Sequence, residues 1–388
     1  MIDGLAKHYS RFRVSERLLL TGHSHQAWPD VAREGVLAAW DDAALHADEK
    51  WGRAFGQAER VRDGFRALLG EPAAEIALGQ NTHELVLRFL SALDLPRRPR
   101  IVTTDGEFHT LRRQLARLGE EPWTEVVVVP ARPADTLAER LAAEADERTA
   151  AVLVSAVLFE DARVVPGLDE LARVCAARGA ELLVDVYHAL GALPFELAAQ
   201  GLETAWVVGG YKYLQLGEGN CFLRLPPQAD SLRPVLTGWF AEFADLSKAP
   251  RGEVAYATGA ARYAGSTYDP TSHYRAARVF DFFREQGLTP ERLRASYLHQ
   301  TTLLARLFDE LSLPDDVVTR DRETPLERFG GFLALESPHA ETLQARLAEA
   351  GVLTDSRRQY LRLGPAPYLP DEQLEAAVAA LAEPLARA

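Results

Sequence analysis

Short runs of apolar and β-branched residues recur along the first two thirds of the chain, at 101–104, 126–129, 151–155, 182–186, 206–208 and 221–225. Between most of them lie segments such as LDELARVCAARG, whose apolar positions fall three and four apart and whose last residue is a stop glycine. Continuous apolar runs alternating with amphipathic helices predict an α/β fold, with a mostly parallel sheet covered by helices on both faces. After about residue 270 the pattern changes. Long helices begin near SHYRAARVFDFFREQG, a short strand pair is expected around GGFLALE, and DEQLEAAVAALAEPLA closes the chain as a helix. The expected organisation is a large α/β domain over 21–270, a smaller C-terminal α+β domain over 271–388, and an N-terminal segment, 1–20, that packs with the small domain.

Composition narrows the function classes. With 388 residues, 47% of them hydrophobic and 26% charged, the chain can bury a substantial core. A net charge of −13 with scattered arginines disfavours a nucleic-acid partner, which needs a clustered positive surface, and favours a small-molecule ligand. Cys175 and Cys221 are too few for a disulfide framework or a cysteine-rich metal site. The opening MIDGLAKHYSRFRV lacks the apolar core of a signal peptide, and no apolar run approaches the roughly 20 residues that span a bilayer, so a cytoplasmic protein without a membrane partner is expected.

In open α/β sheets ligands bind beyond the carboxyl ends of the strands, which directs inspection to polar residues there. In ELLVDVYHALGALP, Asp185 follows an apolar run and His188 stands three residues on. In WVVGGYKYLQLGEGN, Lys212 lies between two tyrosines at the end of the next apolar run. An aspartate there can simply cap a helix, but Asp185 and Lys212 at the ends of successive strands converge on one crevice. A lysine in an apolar, positively biased pocket loses its proton readily and attacks carbonyls, while a buried carboxylate pairs with a cationic ring nitrogen. Together they describe a Schiff-base site for an electron-sink cofactor. The glycines 209, 210, 217 and 219 are expected to let backbone approach that cofactor. Asn81 and Thr82 precede an amphipathic helix in LGQNTHELVLRFLSAL, where they either cap it or cradle an anion on its free N–H groups. In TTDGEFHTLRRQL, Phe108 or His109 is placed to lie over a flat ring. Arg362, in YLRLGPAPYLPDEQ, offers a fork for a carboxylate. His23 and His25 in LLTGHSHQAWPD, without a matched third ligand, make poor metal ligands, so no metal is expected.

The order D-x-x-H, strand, Y-K with glycines after it resembles the fold-type I pyridoxal-phosphate enzymes of the class V aminotransferase group, and within that group the kynureninases, over about residues 20–370. The resemblance implies a seven-stranded sheet, pyridoxal 5′-phosphate as cofactor, Lys212 as its Schiff-base lysine, Asp185 on the pyridinium nitrogen, His188 beside the ring, and Tyr211 reaching the phosphate or assisting proton transfer. It further implies Asn81 and Thr82 at the phosphate, Phe108 stacked on the ring, and Arg362 on the substrate carboxylate in an R-x-x-P-x-P-x-Y setting. Ser24 and His23 match the family's amino-terminal substrate-binding segment, with His23 where the family has Asn. Trp239 in TGWF matches a tryptophan that reaches the cofactor phosphate of the neighbouring subunit, and Ser266 and Thr267 in RYAGSTYDP occupy a segment that binds phosphate or substrate. Leu111 stands where the family has an Asp, and the family's aryl-ketone-recognising Asn is missing near Thr267. The implied assembly is a homodimer with shared active sites. The implied reaction is hydrolytic Cβ–Cγ cleavage of L-kynurenine or a related aryl-keto amino acid to alanine and an anthranilate. Transamination, C–S or β-elimination, and a silent binding protein of the same fold are the competing readings. Sulfur removal is disfavoured because Cys175 falls in a helix pattern and Cys221 opens a strand, neither of them on a mobile loop.

Overall fold

The structure, a computed structural model, describes residues 2–245 and 252–385. Its first half runs β1 (Leu18–Leu19), α1 (Ala32–His46), α2 (Lys50–Leu69), β2 (Glu75–Gly79), α3 (Thr82–Ala92), β3 (Arg100–Thr104), α4 (His109–Leu118), β4 (Glu125–Val129), α5 (Leu137–Glu144) and β5 (Thr149–Ser155). It continues through α6 (Leu168–Arg178), β6 (Glu181–Asp185), β7 (Trp206–Gly210), β8 (Cys221–Leu225), α7 (Thr271–Glu285) and α8 (Pro290–Glu310). The chain then closes with β9 (Leu333–Glu336), α9 (Ala340–Glu349), β10 (Val352–Leu353), β11 (Asp355–Arg357), β12 (Tyr360–Leu363) and α10 (Asp371–Leu385).

Seven strands form one sheet in the order β2-β8-β7-β6-β5-β3-β4, parallel except that β8 runs against both its neighbours. Two reversals restore direction, so β2 points the same way as β7 and its carboxyl end reaches the same edge. The strand β2 is the one that the apolar pattern did not single out, because EIALG is a short run that opens on a glutamate. Central β5, TAAVLVS, is buried at every position, as an apolar run covered on both faces must be. Edge strand β4 leaves Val128 54% exposed.

Helix starts follow local chemistry. At α3, Asn81 accepts from the Glu84 N–H at 3.0 Å and its amide meets the Glu84 carboxylate at 3.2 Å, a reciprocal cap. The stop glycine Gly179 takes φ 65° after α6. Around β9, the expected strand pair is a three-stranded antiparallel sheet, β11-β12-β9. The N-terminal segment joins this end of the molecule: β1 pairs with β10 in parallel, and the Tyr9 and Tyr368 rings lie 4.5 Å apart.

The glycines at the end of β7 and after it serve packing inside the protein and not cofactor approach. A Cβ on Gly210 would lie 2.7 Å from the Tyr187 hydroxyl and 2.9 Å from Cys221 Sγ; one on Gly217 would meet Trp28, and one on Gly219 would meet Ser272. The strand end is tight because aromatic side chains from the neighbouring turn fill it.

Candidate active site

The carboxyl ends of β2, β3, β5, β6 and β7 open on a cavity of about 310 Å³, closed from the other side by the β11–β12 hairpin. Asn81, Thr82, Phe108, Ser155, Asp185, His188, Tyr211, Lys212, Ser24 and Arg362 all line it. Sequence positions more than 330 residues apart thus meet in one chamber.

Lys212 Nζ lies 3.0 Å from His188 Nε2, 5.3 Å from the centre of the Phe108 ring and 5.0 Å from that of Tyr187. Burial, reinforced by the positive charge of Arg362, pushes its pKa down to about 8. His188 is buried, and burial together with Lys212 and Arg362 keeps it well below its ordinary value, hence neutral at pH 7. Asp185 ends β6 and accepts from the Tyr187 N–H at 2.8 Å. Burial raises it to about 6, against the opposing pull of that hydrogen bond and of Lys212. Base and acid are therefore both drawn toward neutral pH by the same desolvation.

On the opposite wall, Arg362 is only 3% exposed. Its Nε donates to Asp355 Oδ1 at 2.7 Å, Nη2 donates to Asp355 Oδ2, and Nη1 donates to the Phe159 carbonyl. His23 Nε2 lies 2.7 Å from the same Asp355 Oδ1. Burial and the nearby Arg362 lower His23 to about 4, so it is neutral and gives its Nε2 hydrogen to the carboxylate. Burial alone would raise Asp355, but hydrogen bonds from His23 and Arg362 hold it well below the usual carboxylate range. One edge of the Arg362 fork is thereby anchored, and one hydrogen on each Nη atom is left for a ligand carboxylate.

The expected site residues divide into those that share the cavity and those that do not. Phe108 faces it, whereas the His109 ring turns to Arg112, with its Nδ1 3.2 Å from that guanidinium. Ser24 faces the cavity beside His25, but His23 is wholly buried behind Asp355 and reaches a ligand only through Arg362. Gly364 explains how close that ring sits: a Cβ there would be 2.0 Å from His23 Nδ1. Trp239 stands 44% exposed among Phe240 and Phe243, and Thr267 lines a separate cavity with Ser266, Arg62, Arg88 and His273; neither joins Lys212 within one chain. Asp355, Arg357 and Glu107 escaped the sequence reading. Asp355 and Arg357 belong to the D-x-R stretch just before the singled-out Arg362, and Glu107 is a charged residue in the turn between β3 and Phe108.

The cavity fits a phosphorylated pyridine aldehyde. Thr82 Oγ1 is buried at the amino end of α3 without an oxygen or nitrogen partner, which suits an anion held by free helix N–H groups. Phe108 supplies a ring face, Asp185 a carboxylate and Lys212 an amine. Both cysteines are buried, Cys175 pushed up to about 12 and Cys221 to about 11 by burial, so neither is a thiolate nucleophile. Among the described residues no three His, Cys, Asp or Glu side chains gather as a metal site, and no helix is long and apolar enough to cross a membrane.

No family model matches the chain. A kynureninase of Deinococcus radiodurans is 31% identical over 401 residues, covering 98% of this chain and 93% of the relative. An uncharacterized aminotransferase of Bacillus subtilis, YcbU, is 23% identical over 345 residues, covering 87% and 86%. Among solved structures, a C-DES variant with glycine covalently linked to its PLP cofactor superposes with a TM-score of 0.85 at 17% identity, covering 97% of this chain and 98% of the other. The cofactor is pyridoxal 5′-phosphate, in line with the amine, carboxylate, ring face and anion cradle described above. With the kynureninase relative matching nearly its whole length, the chain belongs to the pyridoxal 5′-phosphate-dependent class V aminotransferase family of fold type I, in its kynureninase-like group.

Proposed function

We propose that this enzyme is a kynureninase-like hydrolase that cleaves the Cβ–Cγ bond of L-kynurenine or a related aryl-keto amino acid, yielding alanine and an anthranilate. The observation that carries the reading is the convergence, in one cavity, of Lys212 with its lowered pKa, buried Asp185 and an anchored Arg362. The near full-length similarity to a kynureninase supports the choice of substrate class.

Pyridoxal phosphate, when bound, supplies an aldehyde for the lysine and an electron sink for charge developing at the substrate's Cα. Lys212 would hold it through Nζ and would take the Cα proton on the same atom; a pKa near 8 keeps part of the population neutral at physiological pH. Asp185 would hold a protonated ring nitrogen, its charge stabilised by that cation and by the Tyr187 N–H in place of the water it lost. Arg362 orients the α-carboxylate through its two free Nη hydrogens, with Asp355 and His23 fixing the guanidinium plane. Tyr211, half-buried and raised in pKa chiefly by burial, is a neutral phenol at the cavity wall and serves as proton donor to the departing fragment or as a phosphate contact. Asn81, Thr82, Phe108 and His188 hold phosphate and ring, and Ser24 contacts substrate. Water enters the reaction as co-substrate at the γ-carbonyl, which balances the two products.

We propose further that two copies complete each other's sites, with Trp239 and Thr267 reaching the partner's cofactor. The exposure of Val235, Leu236, Trp239 and Phe243, at 81, 50, 44 and 48%, supports an apolar face that a second copy covers.

The test is incubation of the yellow holoenzyme with kynurenine and 3-hydroxykynurenine, following anthranilate fluorescence and alanine. Both products in equal amount are expected. A keto acid formed from another amino acid would move the assignment to an aminotransferase, release of sulfide or of an eliminated group to a C–S or β-elimination lyase, and a protein that stays colourless with added cofactor to a silent binding protein.

A further inference from the structure

A second carboxyl group lies beneath the cavity, unused by the mechanism above. Glu107 is 1% exposed, in the turn after β3. Its Oε1 accepts from the Thr104 hydroxyl at 2.9 Å and from the Ser155 N–H at 3.1 Å, and its Oε2 lies 2.6 Å from Ser155 Oγ, which donates to it as long as the carboxyl is ionised. Ser155 ends β5, lines the cavity and is the register partner of Asp185 on β6. Every group bonded to Glu107 is therefore neutral, and the charged group that faces it is another carboxylate, Asp185, whose own cation is Lys212. Asp105, two residues earlier, turns away to the Ala131 N–H. A buried carboxylate with neutral partners and an anion beside it is relieved by a proton. In keeping with this, burial and Asp185 push Glu107 up to about 7 against the hydrogen bonds that Ser155 and Thr104 give its ionised form.

We propose that Glu107 is held as a neutral carboxylic acid that donates from Oε2 to Ser155 Oγ, so that Ser155 offers its own hydroxyl hydrogen into the cavity on the strand next to Asp185. Glu107 is then a positioning residue for the pyridoxal phosphate ring: it orients a donor without adding a second negative charge beside the carboxylate that must stay ionised. The proposal rests on the reading of this cavity as the cofactor site only where it concerns the ring; the protonation of Glu107 rests on its burial without a cation and on the Asp185 carboxylate beside it.

Two measurements test it. In the full chain freed of cofactor, a group raised from 4.5 to about 7 stabilises the fold below pH 4.5 and loses that contribution as pH rises through 7. E107Q does not titrate, so its Tm relative to wild type should climb by roughly 2 °C or more between pH 5 and pH 8. A difference that is flat over that range overturns the proposal. In the holoenzyme, the glutamine amide still donates to Ser155, so E107Q should keep pyridoxal phosphate affinity within about threefold, whereas E107A and S155A should lose about tenfold, the equivalent of one hydrogen bond. E107Q as weak as E107A would show that an ionised carboxylate is required and would overturn it too. If E107Q does not fold, infrared difference spectra between pH 5 and pH 8 of wild type and D185N decide: a carboxylic-acid C=O band lost with rising pH that D185N retains supports the proposal, and no such band in D185N refutes it. A colourless protein would defeat the cofactor reading while leaving the Tm result interpretable.

Discussion

The two walls of the cavity treat charge in opposite ways. On the strand-end wall, Asp185 and Lys212 are both desolvated and sit at about 6 and 8, each close to giving up its charge. On the hairpin wall, Arg362 and Asp355 are also removed from water, but they bond to each other in parallel, with His23 on the carboxylate and the Phe159 carbonyl on Nη1. Burial is common to both walls; direct pairing is not. The unpaired wall holds groups whose protonation can change during a reaction, and the paired wall holds a charge whose direction must not change.

That contrast can be broken most severely at Lys212. K212A should lower turnover by about 10,000-fold, since it removes both the cofactor-holding amine and the base, and it should abolish the visible band of the holoenzyme. An active, yellow K212A would place the chemistry elsewhere. Next in size, D355A should destabilise the fold by about 3–5 kcal/mol in denaturant titrations, because it strands the Arg362 charge in a buried site. A variant as stable as wild type would show that the hairpin wall does not depend on its pairing.

A smaller effect sharpens the other side. In the cofactor-free protein, Lys212 is lowered from 10.5 to about 8, so wild-type stability should rise with pH between those values as the unfolded chain gives up its extra proton. K212M should accordingly be more stable than wild type at pH 7, on the order of 3 kcal/mol, with the advantage fading by pH 10.5. Equal stability of the two proteins at pH 7 would mean that the lysine carries no desolvation cost. The smallest change expected is H23Q, which keeps a donor to Asp355 in a different shape. It should raise KM for the amino-acid substrate a few-fold, by about 1 kcal/mol, with kcat nearly unchanged, because it loosens the plane of Arg362 without touching Lys212. A fall in kcat with KM unaltered would instead place His23 in the chemical step.

The two walls also differed in how readable they were. Asp185, His188, Tyr211 and Lys212 lie within 28 residues, at the ends of adjacent strands whose apolar runs are plain, so period and position put them at one edge. Six of the seven strands of the main sheet follow from the same runs, and β2 was lost because five residues opening on Glu75 give a weak signal. The hairpin wall draws on residues 23, 159, 355 and 362, and nothing local to His23 indicates that a ring there will meet Asp355. Glu107 was equally silent, since a glutamate beside a glycine in a turn resembles any solvated loop until Ser155 is brought over it. The glycines on either side of Lys212 led elsewhere for the same reason: a missing Cβ tells that something approaches closely, and here the neighbours are Tyr187, Cys221, Trp28 and Ser272.

What the sequence determined by itself was the α/β sheet, its active edge and the residue types standing there, because strand period, helix period and strand-end polarity are local properties of the chain. Which charges are paired and which are left to burial was set by contacts across the fold. Desolvation and hydrogen bonding depend on what lies within a few ångströms in space, and the partners that silence Arg362 and leave Lys212 poised come from strands and turns that sequence distance keeps apart.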